Sequence, residues 1–206
     1  MVMMHDVVNP PAAARFYSYA VLSAYEIVAQ NNSTVVPLSS ILKDYKVEKI
    51  SAGENSYDYR IASVYAILET GKKMLPSGFM LEEDEAKYLA ALKKSKVRKA
   101  IIDSSVAVAN FISDQMVAYA KGDGYLSLST KLRYTPSKEE GRWYPTPPAY
   151  IEAVEPNWKA IRPMLIDSCN QFIPPPAVAF SKDSSSAFYQ MAKEVYNVSN
   201  SLDSNL

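Results

Sequence analysis

The stretch Asn9-Pro10-Pro11-Ala12-Ala13-Ala14-Arg15-Phe16-Tyr17-Ser18-Tyr19-Ala20-Val21 decides the fold class. Asparagine is a preferred helix cap. Proline suits the first turn, where its missing N–H would find no partner, and the three alanines follow with the best helix former. The stretch therefore predicts a helix over residues 10–30. Phe16, Tyr19, Ala20, Ser23 and Ile27 form one apolar stripe along it, and Tyr17, Val21, Ala24 and Val28 form a second beside the first. Two adjacent stripes predict a central, largely buried helix.

The same periodicity recurs outward from this helix. Residues 31–55 are rich in Asn, Ser and Gly, with Pro37 and Gly53, and only Leu38 to Tyr45 can form a short helix there. A second long helix fits 56–74, with Tyr57, Ile61, Val64, Tyr65 and Leu68 at core spacing, and Gly71 and Pro76-Ser77-Gly78 end it. Glu82, Glu83, Asp84 and Glu85 open the next segment, and Lys93, Lys94, Lys96, Arg98 and Lys99 close it or begin its neighbour, an order that complements the helix dipole. Ile102, Val106, Ala109, Ile112, Met116 and Tyr119 mark another packed helix from Ile101 to Ala120, stopped by Lys121-Gly122-Asp123-Gly124.

From 122 to 183 the prolines, Pro136, Pro145, Pro147, Pro148, Pro156, Pro163 and Pro174 to Pro176, forbid long helices. Aromatics recur among them, so an ordered irregular wrap is expected, with short helical turns near 149–155 and 157–168. A last helix over about 184–202 carries Phe188, Met191, Ala192, Val195 and Val198. Val35-Val36 and Tyr125 to Leu132 are the only strand candidates, and they do not pair convincingly. The expectation is an all-α fold, a helical bundle of about five to seven helices with a long proline-rich irregular segment.

Composition agrees and excludes several functions. Of 206 residues 48% are apolar and 21% charged, an ordinary globular profile. Lys plus Arg and Asp plus Glu number 22 each, so no long-range field gathers nucleic acid or an anionic membrane. One cysteine, Cys169, excludes an internal disulfide and a multi-cysteine metal site, and reads as a small buried apolar residue. No stretch reaches the roughly 18 apolar residues needed to span a bilayer, so the chain as given is expected to be soluble.

Single candidates favour structural roles. His5-Asp6 offers two ligands where a metal needs more. Glu82 to Glu85 point in different directions around a helix and read as a solvated start. Lys93 to Lys99 lacks interleaved aromatics. Asp103 and Asp114, with Asn110 nearby, share a helix face that reads as solvent or interface. Arg15 beside bulky aromatics reads as the partner of a buried carboxylate. Trp143-Tyr144-Pro145-Thr146-Pro147-Pro148-Ala149-Tyr150 reads as self-packing rather than a polyproline ligand. The glycosylation triplets at Asn31, Asn32 and Asn197 are short enough to arise by chance. No catalytic, cofactor-binding or metal residue is expected in this chain.

Three blocks carry a family resemblance: Met3-Met4-His5-Asp6-Val7-Val8-Asn9-Pro10-Pro11-Ala12-Ala13-Ala14-Arg15-Phe16-Tyr17, Trp143-Tyr144-Pro145-Thr146-Pro147-Pro148, and Val154-Glu155-Pro156-Asn157-Trp158 through Arg162-Pro163. Gln171-Phe172-Ile173-Pro174-Pro175-Pro176 and Ser184-Ser185-Ser186-Ala187-Phe188-Tyr189 continue it. The sequence resembles the amino-terminal half of bacterial vanadium-dependent haloperoxidase-like proteins, of the type 2 phosphatidic acid phosphatase superfamily. The resemblance implies a helical-bundle enzyme binding vanadate or phosphate, with an export signal in the parent protein. It also implies three motifs: a lysine six residues before Arg-Pro, Pro-Ser-Gly-His, and Ser-Arg followed by a spaced His and Asp. Cations and a glycine amide neutralise the oxyanion, one histidine bonds vanadium or phosphorus, and the other serves as acid or base.

The chain departs from those motifs. It has one histidine where two are needed. Pro76-Ser77-Gly78 is followed by Phe79 in place of the histidine, and Lys159 precedes Arg162-Pro163 by too few residues. Both read as coincidences, the first as a turn. The expectation is therefore a non-catalytic amino-terminal portion of a haloperoxidase- or phosphatase-like enzyme, whose partner is a missing carboxy-terminal half or another subunit. In that reading 1–121 is the bundle core, 122–183 the wrap and 184–206 a helix leading toward the absent half, all within one domain. The alternative is a stand-alone helical binding or assembly module. An independent carboxylate enzyme comes third and needs acids converging in one pocket.

Overall fold

The computed structural model of the chain describes residues 5–50 and 56–202. Met3-Met4 of the first family-like block, Gly53 and residues 203–206 lie outside them. Among the described residues the fold is all-α, with five α-helices, short 3-10 turns and no strand.

Helix α1 is Pro10–Asn31, and the side chain of Asn9 accepts from the Ala12 N–H at 3.0 Å, so the cap read from sequence is made. Helix α2 is Tyr59–Met74. It begins later than the periodicity suggests because Asp58 caps it, accepting from the Arg60 N–H. Helix α3 is Leu81–Lys94, with Glu82, Glu83 and Asp84 in its first turn and Lys93 and Lys94 in its last. Helix α4 is Lys99–Lys121, and helix α5 is Ala187–Ser201, capped by Ser186.

The chain divides into two compact units, Met1–Lys131 with Asn157–Cys169, and Leu132–Pro156 with Asn170–Leu206. In the first, α2 packs along both α1 and α4. Ala62, Ala66 and Ala109 are fully buried there, and such small residues let helix axes approach closely. Small hydroxyls fill the same seam: Ser23 Oγ lies 3.1 Å from the Ala66 carbonyl, and Thr70 donates to Ser113 at 3.0 Å. Tyr19, Leu38, Leu42, Tyr45 and Met116 form a second cluster beside it.

Several expectations change. Only one stripe of α1 is fully buried; on the other Ala24 and Val28 are half-buried, while Tyr17 and Val21 are 58% and 57% exposed and line an apolar groove with Leu42, Met164 and Leu165. The segment from Leu38 contracts to a 3-10 turn, Leu38–Ser40. Tyr125–Thr130, a strand candidate, is a 3-10 helix. Gly124 turns the chain with φ of 91°, and the Ser127 and Thr130 hydroxyls fold back onto the carbonyls of Gly124 and Ser127, each at 2.8 Å. No helix forms over 149–155, and only Trp158–Ala160 makes a 3-10 turn in 157–168.

The second unit holds the proline- and aromatic-rich segment and α5. Tyr134 packs near Trp143 with centroids 6.0 Å apart, and Phe180 meets Phe188 edge-on at 5.0 Å. Gly141, with φ of 76°, lies so close to Phe180 that an added Cβ would sit 2.8 Å from its ring.

Candidate functional site

The most heavily organised polar centre lies in the first unit, where the start of α1, the end of α4 and the segment after Trp158 meet. Arg15 Nε donates to Asp123 Oδ2 at 2.6 Å, and both side chains are almost fully buried. Its Nη2 donates to the Ala120 carbonyl at 3.0 Å, and its guanidinium lies over the Tyr125 ring at 4.3 Å. Asp123 also accepts from the Tyr19 hydroxyl at 3.0 Å and the Tyr125 N–H at 2.9 Å. Burial first, and then the Asp123 charge, push the Tyr19 phenol well above its usual range. The sequence identified Arg15 as the partner of a buried carboxylate. It did not identify the carboxylate, because Asp123 stands among glycines as part of a helix stop.

Arg162 joins this centre. Its Nη2 donates to the Tyr119 carbonyl at 2.9 Å, its guanidinium sits 3.7 Å from the Tyr119 ring centre, and its backbone N–H donates to the Asp123 carbonyl at 2.8 Å. A cation on the last carbonyls of α4 complements that end of the helix dipole. Arg162-Pro163 therefore works as a clamp on α4. A cleft of about 350 Å³ opens alongside, lined in part by Ser18, Trp158, Lys159, Arg162 and Cys169. Cys169 is exposed, against its expected burial, in an irregular stretch whose residues from Leu165 on face solvent.

A second charged group joins α2 to α3. Lys72 Nζ lies 2.6 Å from Glu69 and 2.7 Å from Glu85, and Lys73 bridges Glu69 and Asp114 at 3.0 and 2.7 Å. Burial pushes the Glu85 carboxyl up, with Lys72 opposing. Burial acts on Glu69 too, yet hydrogen bonds from Lys72 and Lys73 hold it below the ordinary carboxylate range. Glu85 is thus not the solvated helix-start residue expected; it is the one buried residue of α3. Its acidic neighbour Glu83 is solvated and pairs with Lys87 at 2.7 Å.

The remaining candidates do not converge on one site. Asp6 accepts from the Ser77 N–H at 3.2 Å, so it holds the Pro76-Ser77-Gly78 turn, while His5 points outward with Nδ1 3.9 Å from Asp6. Gly78 is demanded sterically: an added Cβ would sit 2.0 Å from the Lys72 carbonyl oxygen. Phe79 beside it is 66% exposed. Asp103 pairs with Lys99 at 2.6 Å and Asp114 with Lys73, in separate places. Lys93, Lys94, Lys96 and Arg98 are exposed around the break between α3 and α4. Trp143 and Tyr150 of the aromatic–proline run are about half exposed. Among the described residues no group of three or more His, Cys, Asp or Glu side chains is placed to hold a metal ion, and no helix is long and apolar enough to cross a membrane.

Comparison with solved structures supplies what the geometry alone does not. A bacterial vanadium-dependent iodoperoxidase of known crystal structure superimposes with a TM-score of 0.87 and 32% identity over 98% of this chain. The chain is similar to a vanadium haloperoxidase over nearly its whole length. It spans about half of that haloperoxidase, 47% of its chain. No family model matches the sequence, and no curated protein does.

Proposed function

We propose that the chain is the amino-terminal, non-catalytic helical portion of a haloperoxidase- or acid-phosphatase-like enzyme, whose vanadate or phosphate site is formed by residues outside these 206. The observation that carries this reading is the coverage: 98% of this chain matches 47% of a vanadium-dependent iodoperoxidase. The donor set supports it. A bound oxyanion calls for several unneutralised cations and a histidine ligand. In the two polar centres Arg15 is neutralised by Asp123, Lys72 and Lys73 by carboxylates, and Arg162 is spent on Tyr119, which leaves the cleft beside Arg162 the exposed Lys159 alone. The one histidine, His5, is exposed beside a carboxylate. These residues do not fit vanadate by themselves.

The role left to this chain is architectural. The Arg15–Asp123–Arg162 clamp fixes the ends of α1 and α4, and so holds rigid the faces on which the remaining fold is built. The open stripe of α1 at Tyr17 and Val21 favours this reading over a self-sufficient module, whose apolar faces would be covered. The test is vanadate binding followed by calorimetry, run on residues 1–206 and on the protein isolated from its natural source. Binding only by the natural protein is expected; stoichiometric binding by the 206-residue chain would overturn the reading.

A further inference from the structure

Helix α5 presents an apolar seam that nothing in its own unit covers. Phe188, Met191, Val195, Val198 and Leu202 follow one another at alternating steps of three and four residues. That is the 3.5-residue period of a seam that packs against another helix, and the exposed rings of Tyr189 and Tyr196 lie on the same helix beside it. Phe188 is anchored on Phe180, but Met191, Val195, Val198 and Leu202 are 55, 67, 53 and 60% exposed, and no residue of α5 is buried. Ala192 and Ser199 flank the seam, small enough to admit a helix backbone closely.

We propose that this seam is the docking face for a helix of the haloperoxidase-like segment that the chain does not cover. The proposal rests on the reading above and names the surface through which the two parts join. The similar iodoperoxidase has more chain outside the match than within it, enough to supply such a helix. Two other occupants fit less well. A second copy would pair only about two heptads, short of the roughly three to four that sustain a coiled coil. A membrane surface selects a basic polar face, and here Lys193 and Glu194 cancel among Gln190, Asn197 and Asn200.

Photo-crosslinking in the natural protein tests this. A benzophenone amino acid is placed at Val195 or at Val198, both on the seam, and at Asn197 on the opposite face, and crosslinked peptides are sequenced. Crosslinks from Val195 and Val198, absent from Asn197, to haloperoxidase-like sequence beyond residues 1–206 are expected, in the same polypeptide or a companion one. Val195→Asp should abolish the crosslink from Val198 and leave the unfolding midpoint of residues 1–206 unchanged. Crosslinks to a second copy, to lipid or to an unrelated protein, or none from the seam, would overturn the docking face. Vanadate binding by the same preparation separates the two failures. If it persists while the seam captures something else, the surface is wrong and the functional reading stands; if it is absent and no haloperoxidase-like segment is found, both fail.

Discussion

The two units use similar apolar residues to opposite ends. Every buried residue among those described lies between Ala12 and Asp123, in the first unit, and none lies in the second. The first unit closes α1, α2 and α4 on alanines and small hydroxyls and locks them with an internal ion pair. The second has Phe172, Ile173, Met191 and Val195 in quantity, yet leaves all of them exposed. Apolar content alone therefore does not make a core. A core needs two layers facing each other, and the second unit supplies one.

Substitutions can break or sharpen that contrast. Asp123→Asn should cost the most, about 3–5 kcal/mol in urea unfolding, because it strands the buried Arg15 charge. A loss below about 1 kcal/mol would show that the clamp is not structural. Gly78→Ala comes next, at about 2–3 kcal/mol, since a Cβ 2.0 Å from the Lys72 carbonyl must displace backbone.

The α2–α3 group makes a smaller, pH-dependent prediction. Glu69 is held low, so its contribution is present above its unfolded value and lost as pH falls through its folded one. Glu69→Gln should cost about 1–2 kcal/mol at pH 7, and the cost should shrink below about pH 4. Glu85 is pushed up by burial, so its folded state is favoured while it is protonated and that advantage fades as pH rises. Glu85→Gln should therefore cost less than Glu69→Gln at pH 7, as read from paired denaturation curves. Smallest of all, Met191→Ala in residues 1–206 should stay within about 0.5 kcal/mol, because its side chain buries nothing there. A loss comparable to that of a core methionine would mean that the second unit has a core of its own.

Much of the fold was legible in the sequence, for reasons visible in particular residues. Asn9 is a cap whose side chain acts locally, so α1 could be placed from the chain alone. Periodicity placed α2 and α5 to within about a turn, starting both early because the caps Asp58 and Ser186 carry no periodic signal. Tyr125–Thr130 was not legible as a helix, because its conformation depends on Gly124 and on hydroxyls folding back to the backbone, which periodicity does not register. The second stripe of α1 looked buried because a pattern shows which face seeks a partner and not whether one is present. In the polar centre Arg15 was foreseeable from its apolar surroundings. Asp123 and Arg162 were not, since they reach it from residues more than a hundred positions away in the chain.

The central claim is that this chain supports an oxyanion-binding site formed by residues it does not contain. The most direct measurement is the intact mass and full sequence of the protein isolated from its natural source. The account predicts a haloperoxidase-like segment bearing two further histidines, in the same polypeptide or bound tightly to it. A natural protein consisting of these 206 residues alone, of 22.9 kDa and without such a partner, would contradict it.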